Sequence, residues 1–560
     1  MRAYAAVALA IAGCSRHDAK REPPTGSATP KAADDDHLFD PDSLGTIHFL
    51  AVNDSPAARA FTRGIAALHS FWYEEAIKEF AAAIAADPSM NMAYWGAAMA
   101  RCPLLWHDDD LPEARAWLAR MPAPQQLTPR EQAWVSAAKV LIGDGTVMER
   151  RKRFAAAMAD VNAKFPDDES ATFLSIALLA SVEPDDPSLP EVRERAAALA
   201  IGVFEHNPKH PGAAHYLIHA YDTPELAHLA LPYALAYAKI APAAFHARHM
   251  PAHVFSRLGM WKQAVASCQS AWDVSLAAAR RDHLTADHDD FHSLNWVIEM
   301  DFELGRRGAA ATAMQVYGQT VRDGLSYAQR WPYAVEVSSY LTRTGDWSSV
   351  DALLAPLDAP ALDRPAPGSG ISPEAALEQI GAARARALSA AMQRDLPRTQ
   401  EQLAALDTIN SDLRPYFVAT QSPAGVASID QFNTRFDQEM TARARGDDQA
   451  LLVVLRANAA PSDKPSAIGE HNPNGIIAGE ELADALLRTG DAKGAAAAYA
   501  QVLEHHVGRA HALLGAARAA AKLGDHSAAK ADYQKLLDQW DTADPGIDGL
   551  AEAHAAVAAN

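Results

Sequence analysis

The sequence predicts an all-α fold in which helical hairpins stack into a right-handed superhelix, an α-solenoid. The first observation is a step of 34 residues near the C-terminus, where Gly490 recurs as Gly524 and Tyr499 recurs as Tyr533. The second is that no alternating apolar and polar pattern of useful length indicates a β-strand. A repeat of this length, with a glycine and an aromatic residue in fixed register, is typical of tetratricopeptide hairpins. Each hairpin buries its apolar face only by stacking on a neighbour.

Composition narrows the range of partners. The chain has 560 residues, of which 49% are hydrophobic and 21% are charged, so most of it is expected to fold. Its formal net charge is −20. Nucleic acid is therefore not an expected partner, because phosphate binding requires a cationic face. Three cysteines are too few for a disulfide scaffold.

The N-terminus is typical of an exported bacterial lipoprotein. An arginine is followed by an apolar run from Ala3 to Gly13 and then by Cys14, which resembles a lipobox. We therefore predict a signal peptide over residues 1–14, lipidation of Cys14 and a flexible tether over residues 15–45. The expected location is the periplasm or the outer membrane, with membrane contact only through this lipid. The alternative is an untargeted alanine-rich N-terminus.

Two repeat arrays are predicted along the rest of the chain. The N-terminal array spans residues 46–357 and begins with residues such as Gly64 and Pro88 at the spacing of the tetratricopeptide consensus. A stretch rich in proline and glycine over residues 358–375 is the predicted linker. The C-terminal array spans residues 376–560. The same stretch is also compatible with an insertion in one continuous solenoid.

Histidine is concentrated in one part of the N-terminal array. Eleven of the 22 histidines lie within residues 206–292, and a step of 34 relates His215 to His249 and His219 to His253. Within each pair the spacing is i, i+4, which places both imidazoles on one helix face and lets them share a metal ion. Neighbouring helices pack about 8–10 Å apart. All four rings are therefore predicted to converge in the concave groove of the superhelix.

Other potential ligands accompany these pairs. Some occupy matching positions in neighbouring repeats, and others lie next to a helix that carries a histidine pair. These candidate ligands are His246, His292, Asp222, His288 and Asn295. Nitrogen-rich ligation suits copper, zinc, iron or nickel and does not choose among them. Because imidazole must be neutral to bind a metal, retention is expected to fall as the pH drops toward about 6.

Two sequence blocks resemble those of a family of large exported bacterial tetratricopeptide-repeat proteins. The blocks are HPGAAHYLIHA at residues 210–220 and HMPAHVF at residues 249–255. The resemblance covers roughly residues 51–306, whereas the C-terminal third matches only the generic repeat. It implies the fold and export. It supplies no established reaction and therefore no catalytic residue.

Three functions are compatible with this sequence. The leading hypothesis is an envelope-anchored scaffold whose groove carries a transition metal held by histidines. The second is a metal-dependent enzyme with an open coordination position, in which Asp289 or Asp222 acts as a base. The third is a metal-free adaptor that binds a peptide or protein in the groove. A purely structural role is a further alternative, although two stacked i, i+4 pairs are hard to explain by packing alone.

Overall fold

The computed structural model describes residues 43–49, 54–106, 109–122, 124–183, 186–363, 372–420, 423–459 and 475–558. The predicted signal peptide, the lipidation site Cys14 and nearly all of the predicted tether lie outside the described residues, as does the middle of the predicted linker. Among the helices that the structure describes, none is long and apolar enough to span a membrane.

The described residues form α-helices joined by turns and short 3-10 segments, with no β-strand among them. The first fifteen helices are α1 Pro56–His69, α2 Tyr73–Ala86, α3 Asn91–Met99, α4 Leu111–Ala119, α5 Pro129–Leu141, α6 Val147–Lys164, α7 Asp168–Ala180, α8 Leu189–His206, α9 Pro211–Tyr221, α10 Ala227–Ile240, α11 Phe245–His249, α12 Pro251–Arg257, α13 Trp261–Arg281, α14 Phe291–Glu303 and α15 Arg307–Gly324. The following helices are α16 Tyr327–Thr344, α17 Val350–Leu354, α18 Pro373–Met392, α19 Leu396–Thr420, α20 Pro423–Arg445, α21 Asp448–Ala459, α22 Ala478–Arg488, α23 Ala492–His505, α24 Ala510–Lys522, α25 His526–Gln539 and α26 Leu550–Ala558.

The first hairpin shows why the repeat spacing produces this packing. Phe80 of α2 is fully buried. A Cβ atom added to Gly64 of α1 would lie 2.6 Å from the Phe80 ring, and one added to Gly96 of α3 would lie 2.4 Å from it. The aromatic side chain therefore fills the space that two glycines leave on the helices at either side. Only a residue without a side chain fits at such a contact.

Consecutive helices pack against one another along the chain. Helix α7 packs on α8, α8 on α9, and α9 on α10, and the same neighbour packing joins α22 to α25. The described apolar core follows this order from the first hairpin to beyond α14. The predicted all-α fold of stacked helical hairpins is therefore confirmed.

The second histidine pair lies on a broken helix. The sequence predicts a single helix through His249 and His253, but α11 ends at His249 and α12 begins at Pro251, with Met250 between them. Proline has no amide hydrogen and cannot continue the hydrogen-bond ladder, so it occupies the first position of a new helix. The two histidines still face each other across this break, with 3.0 Å between their Nε2 atoms.

The C-terminal helices pack back onto the middle of the chain. The Ala510 amide donates to Glu303 Oε2 at 2.6 Å, and the Asp544 amide donates to the Gly305 carbonyl at 3.0 Å. Nearby, Trp261 Nε1 donates to the Gly508 carbonyl at 2.9 Å. These bonds fix helices α24 and α25 beside α12–α14, one side of the histidine region.

Candidate metal centre

Three histidines from two neighbouring repeats form what we call the inner triad: His215, His219 and His246. His215 Nε2 lies 3.1 Å from His219 Nε2 and 3.1 Å from His246 Nε2. His215 is completely buried, whereas His219 and His246 are 6% and 7% exposed. The i, i+4 pair of α9 is thus completed by the histidine that begins the next repeat.

A second set, the outer triad, repeats this arrangement one hairpin later: His249, His253 and His292. The rings of His249 and His292 are 4.7 Å apart between centroids. His249 and His253 are completely buried, but His292 is exposed. In both triads, an i, i+4 pair is joined by a histidine from the start of the first helix of the next repeat.

The two triads are adjacent but distinct. The rings of His246 and His249 stack with 6.2 Å between their centroids. Within each triad, one nitrogen of every ring lies within 4.8 Å of the others, and in the described part of the chain no such group mixes the two triads. The structure thus divides the four paired rings, predicted to converge in one place, between two sites. Their third members are His246 and His292.

The proton positions in the inner triad follow from one anchor. His215 Nδ1 lies 2.7 Å from the His69 carbonyl oxygen. A carbonyl only accepts, so Nδ1 carries the proton and Nε2 of the neutral ring carries a lone pair. That single lone pair faces both His219 Nε2 and His246 Nε2. In good geometry it can accept a proton from only one of these two nitrogens.

The outer pair has the same property, imposed by different anchors. His253 Nδ1 lies 3.2 Å from Asp222 Oδ2, so this nitrogen carries a proton. His249 Nδ1 lies 3.0 Å from Ser293 Oγ and 3.4 Å from Cys268 Sγ. Because the Ser293 hydroxyl donates to Asp290, its oxygen is left to accept, which favours the tautomer with the proton on His249 Nδ1. Both Nε2 atoms of the pair therefore present lone pairs to each other at 3.0 Å.

Two lone pairs at this distance repel unless a positive charge lies between them. One source of charge is a proton, but burial followed by the neighbouring rings of His292 and His253 lowers the pKa of His249 well below its usual value. The other source is a metal ion. Ligand nitrogens 2.0–2.1 Å from an ion are about 2.9 Å apart in octahedral geometry and about 3.4 Å apart in tetrahedral geometry. The observed separations of 3.0 and 3.1 Å fall between these values.

The anchoring groups match those of known metal sites. A ligating histidine almost always donates its second ring N–H to a carbonyl or carboxylate, which orients the ring. Here the His69 carbonyl serves His215, and Asp222 serves His253. Asp222 also accepts from Arg257 Nε at 3.0 Å. In the described residues, the Asp222 carboxylate contacts a histidine of the outer triad but belongs to neither triad.

Burial changes the expected pH response. The pKa values of His215 and His246 are lowered well below the usual imidazole value, first by burial and then by neighbouring histidines. A ring whose pKa is lowered stays neutral in more acidic solution. The loss of metal expected near pH 6 from ordinary imidazoles is thus expected at lower pH in this environment.

Aromatic side chains enclose both triads. The Phe71 ring lies 4.4 Å from the His215 ring and 5.4 Å from the His246 ring. The Trp296 ring lies 4.6 Å from that of His253. Phe71 has a φ of 54°, a left-handed conformation that is uncommon for an aromatic residue. Phe71 thus lies over the inner triad although it comes from the turn of the first hairpin.

A third histidine group, which we call the carboxylate bridge, gives an internal comparison. Glu169 Oε2 lies 2.8 Å from His69 Nε2, and Oε1 lies 3.0 Å from His210 Nε2. The Tyr216 hydroxyl lies 2.9 Å from His69 Nδ1, and the Ala213 amide donates to His210 Nδ1. Every ring nitrogen here has a complementary partner. The bridge is therefore a complete hydrogen-bond network.

The carboxylate bridge also holds a buried charge. Burial alone would raise the pKa of Glu169, but His210 and His69 outweigh it and hold this pKa well below the usual range. His69 then links the bridge to the inner triad through its carbonyl. Sequence reasoning missed His69 and Glu169, because they are 100 residues apart and share no periodic pattern.

Two predicted ligands lie differently from the others. His288 is in the 3-10 turn Ala286–His288, and its Nδ1 lies 3.0 Å from Glu74 Oε2. In the part of the chain that the structure describes, no group of potential ligands includes it. Asn295 is buried on α14, and its Oδ1 has no hydrogen-bond partner there. A ligand role for Asn295 stays a prediction.

Comparisons with known proteins add little to this geometry. No family model matches the chain. No curated protein matches it either. A solved structure titled "Structure of Naa15/Naa10 bound to HypK-THB" is similar at 14% identity and a TM-score of 0.27, over 89% of this chain and 63% of that one. The P58(IPK) TPR domain is similar at 10% identity and a TM-score of 0.18, over 90% of this chain and 98% of that one. The chain thus spans less than two thirds of the first structure's length, and at these TM-scores neither likeness supports an argument.

Proposed function

We propose that this protein is a helical-repeat scaffold that binds a transition metal through its two histidine triads. The observation that carries the proposal is the 3.0 Å separation of His249 Nε2 and His253 Nε2, both of which carry lone pairs in the tautomers inferred from their neighbours. A metal cation satisfies both at once, and the surrounding burial disfavours a proton in its place. The carboxylate bridge supports this reasoning, because there every ring nitrogen has a partner without a metal.

Copper, zinc and iron are the metals that such a site fits. All potential ligands of the triads are imidazole nitrogens, and imidazole suits these ions better than magnesium or calcium, which prefer oxygen. The aromatic enclosure excludes water from most of the site. A dry environment strengthens the attraction between a cation and oriented ring dipoles.

Export and lipid anchoring at Cys14 belong to the same proposal. The supporting feature is the short apolar run that ends in this cysteine, after which the tether would hold the repeats away from the membrane. A Cys14→Ala variant is expected to move from the membrane fraction to the soluble fraction. Unchanged fractionation would contradict the anchor without affecting the metal proposal.

A protein partner in a groove is compatible with the repeat architecture. It would not be recognised directly by His215, His249 or His253, because these side chains are completely buried. A partner would therefore contact other residues of the scaffold. The histidine cluster is better explained by an ion that enters the interior than by a peptide that lies on the surface.

A metal-dependent enzyme is the second candidate, and the exposure of His292 favours it. An outer triad with three imidazole ligands leaves a fourth position, and its exposed edge gives water or a small substrate access to that position. Burial raises the pKa of Asp289, three residues before His292, to about 7, a value suited to general base catalysis. An ion with no exchangeable water in relaxation measurements would contradict this candidate.

Metal analysis of protein purified without a nickel column tests the proposal. Wild-type protein is expected to retain at least one copper, zinc or iron ion per chain after gel filtration. The double variant His215→Ala, His249→Ala removes a central ring from each triad and is expected to lose tight binding. The matched control is His526→Ala, since His526 is an exposed histidine outside the cluster. Wild-type protein that neither holds nor takes up these metals would refute the proposal.

A further inference from the structure

We infer that the cluster is a dinuclear centre, in which the inner and outer triads each bind their own metal ion. This inference rests on the proposed metal-binding function and extends it. It specifies two ions per chain, each with three imidazole ligands. It also assigns His246 to the inner ion and His292 to the outer ion.

The donor atoms group within triads. In the inner triad, His219 Nε2 and His246 Nε2 both lie 3.1 Å from His215 Nε2. In the outer triad, the Nε2 atoms of His249 and His253 lie 3.0 Å apart. One zinc ion would not bind all six rings, because zinc sites are almost always four-coordinate. The donor nitrogens also fall into two separate groups of three, each within 4.8 Å. Two ions satisfy each set separately.

Each triad has its own orienting groups. The inner triad is anchored by the His69 carbonyl at the end of α1, and the outer triad by Asp222 and Ser293. None of these anchors serves both sets. If the six histidines formed a single site, two independent sets of orienting hydrogen bonds would not be needed. The duplication matches the repeat, since each set occupies one hairpin and the start of the next.

The two ions must nevertheless be close together. An ion lies about 3.2 Å from the centroid of a ligating imidazole, given a metal–nitrogen bond of about 2.0–2.1 Å. The stacked rings of His246 and His249 are 6.2 Å apart between centroids. The ions are therefore no more than about 13 Å apart, whatever the ring orientations. Paramagnetic ions at this separation broaden each other's resonance spectra.

Access differs between the two positions. The inner triad is covered by the Phe71 ring and has no fully exposed member. The outer triad includes the exposed His292. An external ligand, such as water, hydroxide or a small anion, therefore reaches the outer ion first. Azide is a suitable probe for this asymmetry.

Copper titration of the metal-free full-length chain tests the inference. The Cu²⁺ stoichiometry is measured by native mass spectrometry, and electron paramagnetic resonance is recorded on the same samples. Wild type and the exposed-histidine control His526→Ala are expected to bind two ions tightly and to give a dipolar-broadened spectrum. His292→Ala and His219→Ala are each expected to bind one ion and to give a sharp mononuclear spectrum. Azide is expected to shift the spectrum of His219→Ala more than that of His292→Ala.

The outcomes separate the inference from the function on which it rests. Two ions in the wild type and one in His292→Ala support the dinuclear centre. One ion in the wild type, or sharp spectra with two ions, refutes the dinuclear centre and leaves metal binding intact. No tight copper, zinc or iron in the wild type overturns both. Because His292 is exposed, its substitution leaves the core packing intact, so it decides the question even if His219→Ala fails to fold.

Discussion

Replacing Asp222 by asparagine tests how far the outer site depends on the groups behind its ligands. Asp222 is 6% exposed and accepts from His253 Nδ1 at 3.2 Å and from Arg257 Nε at 3.0 Å. An asparagine of the same shape has one accepting oxygen, so its amide N–H₂ must face one of these two donors. The variant therefore loses the carboxylate charge and one of the two hydrogen bonds.

The size of the effect follows from these contacts. Removal of a group that orients a ligating histidine lowers metal affinity about 10- to 100-fold, which corresponds to about 1.4–2.7 kcal/mol. Loss of one charge-assisted hydrogen bond destabilises the metal-free fold by about 1.5–3 kcal/mol. Chelator competition with Cu²⁺ measures the first quantity, and urea unfolding in EDTA measures the second.

A matched substitution separates the site from general effects of charge. Asp484→Asn removes a carboxylate that lies 2.8 Å from His511 Nε2, far along the sequence from both triads. This control is expected to leave Cu²⁺ affinity unchanged. If Asp222→Asn binds Cu²⁺ as tightly as the wild type at both sites, the carboxylate does not orient a ligand and the reasoning for the outer triad fails.

Three further predictions concern the fold and the pH response. Glu169→Gln breaks the buried carboxylate bridge and should lower the unfolding free energy by about 3–5 kcal/mol, measured by urea titration. A loss below about 1 kcal/mol would contradict a structural role for the bridge. Gly64→Ala forces a Cβ against the Phe80 ring and should lower the unfolding free energy by about 1–3 kcal/mol. The Cβ of Gly202→Ala meets nothing within 4 Å, so this variant should gain up to about 1 kcal/mol in helix stability. Thermal melts in which Gly64→Ala is the more stable variant would refute this packing. The pKa values of three triad histidines are lowered, so protons compete for their lone pairs only below the usual pKa of 6.5. Bound Cu²⁺ should therefore survive dialysis at pH 6 and be lost by about pH 4. Loss of half the copper at or above pH 6.5 would count against these buried histidines as ligands.

The repeat arithmetic predicted the part of the site that depends on local geometry. A step of 34 residues and an i, i+4 spacing place His215 beside His219 and His249 beside His253, and both contacts are present. Such spacings follow from helix geometry, which tertiary packing changes little. The stacked hairpins were predictable for the same reason.

The division into two triads was not predictable from spacing. It depends on the direction in which His246 and His292 point from the starts of their helices, and on the helix break that Pro251 introduces. Ring direction is set by packing against neighbours such as Phe71, which comes from a hairpin over 140 residues earlier. The anchoring role of His69 depends on the same long-range contact. No local pattern in the sequence encodes either one.

The C-terminal helices pack onto the middle of the chain, and this contact changes how the solenoid is expected to unfold. Open repeat arrays fray from their ends, because each terminal hairpin has a neighbour on one side only. Here the Ala510 amide reaches Glu303, 207 residues earlier, so the late repeats are tied into the same cooperative unit as α14. A chain truncated before Ala510 would leave Glu303 paired with Arg343 but without this amide. Terminal truncation would therefore loosen the helices that pack beside the histidine triads. Faster amide exchange next to the triads would then result from a change near the C-terminus.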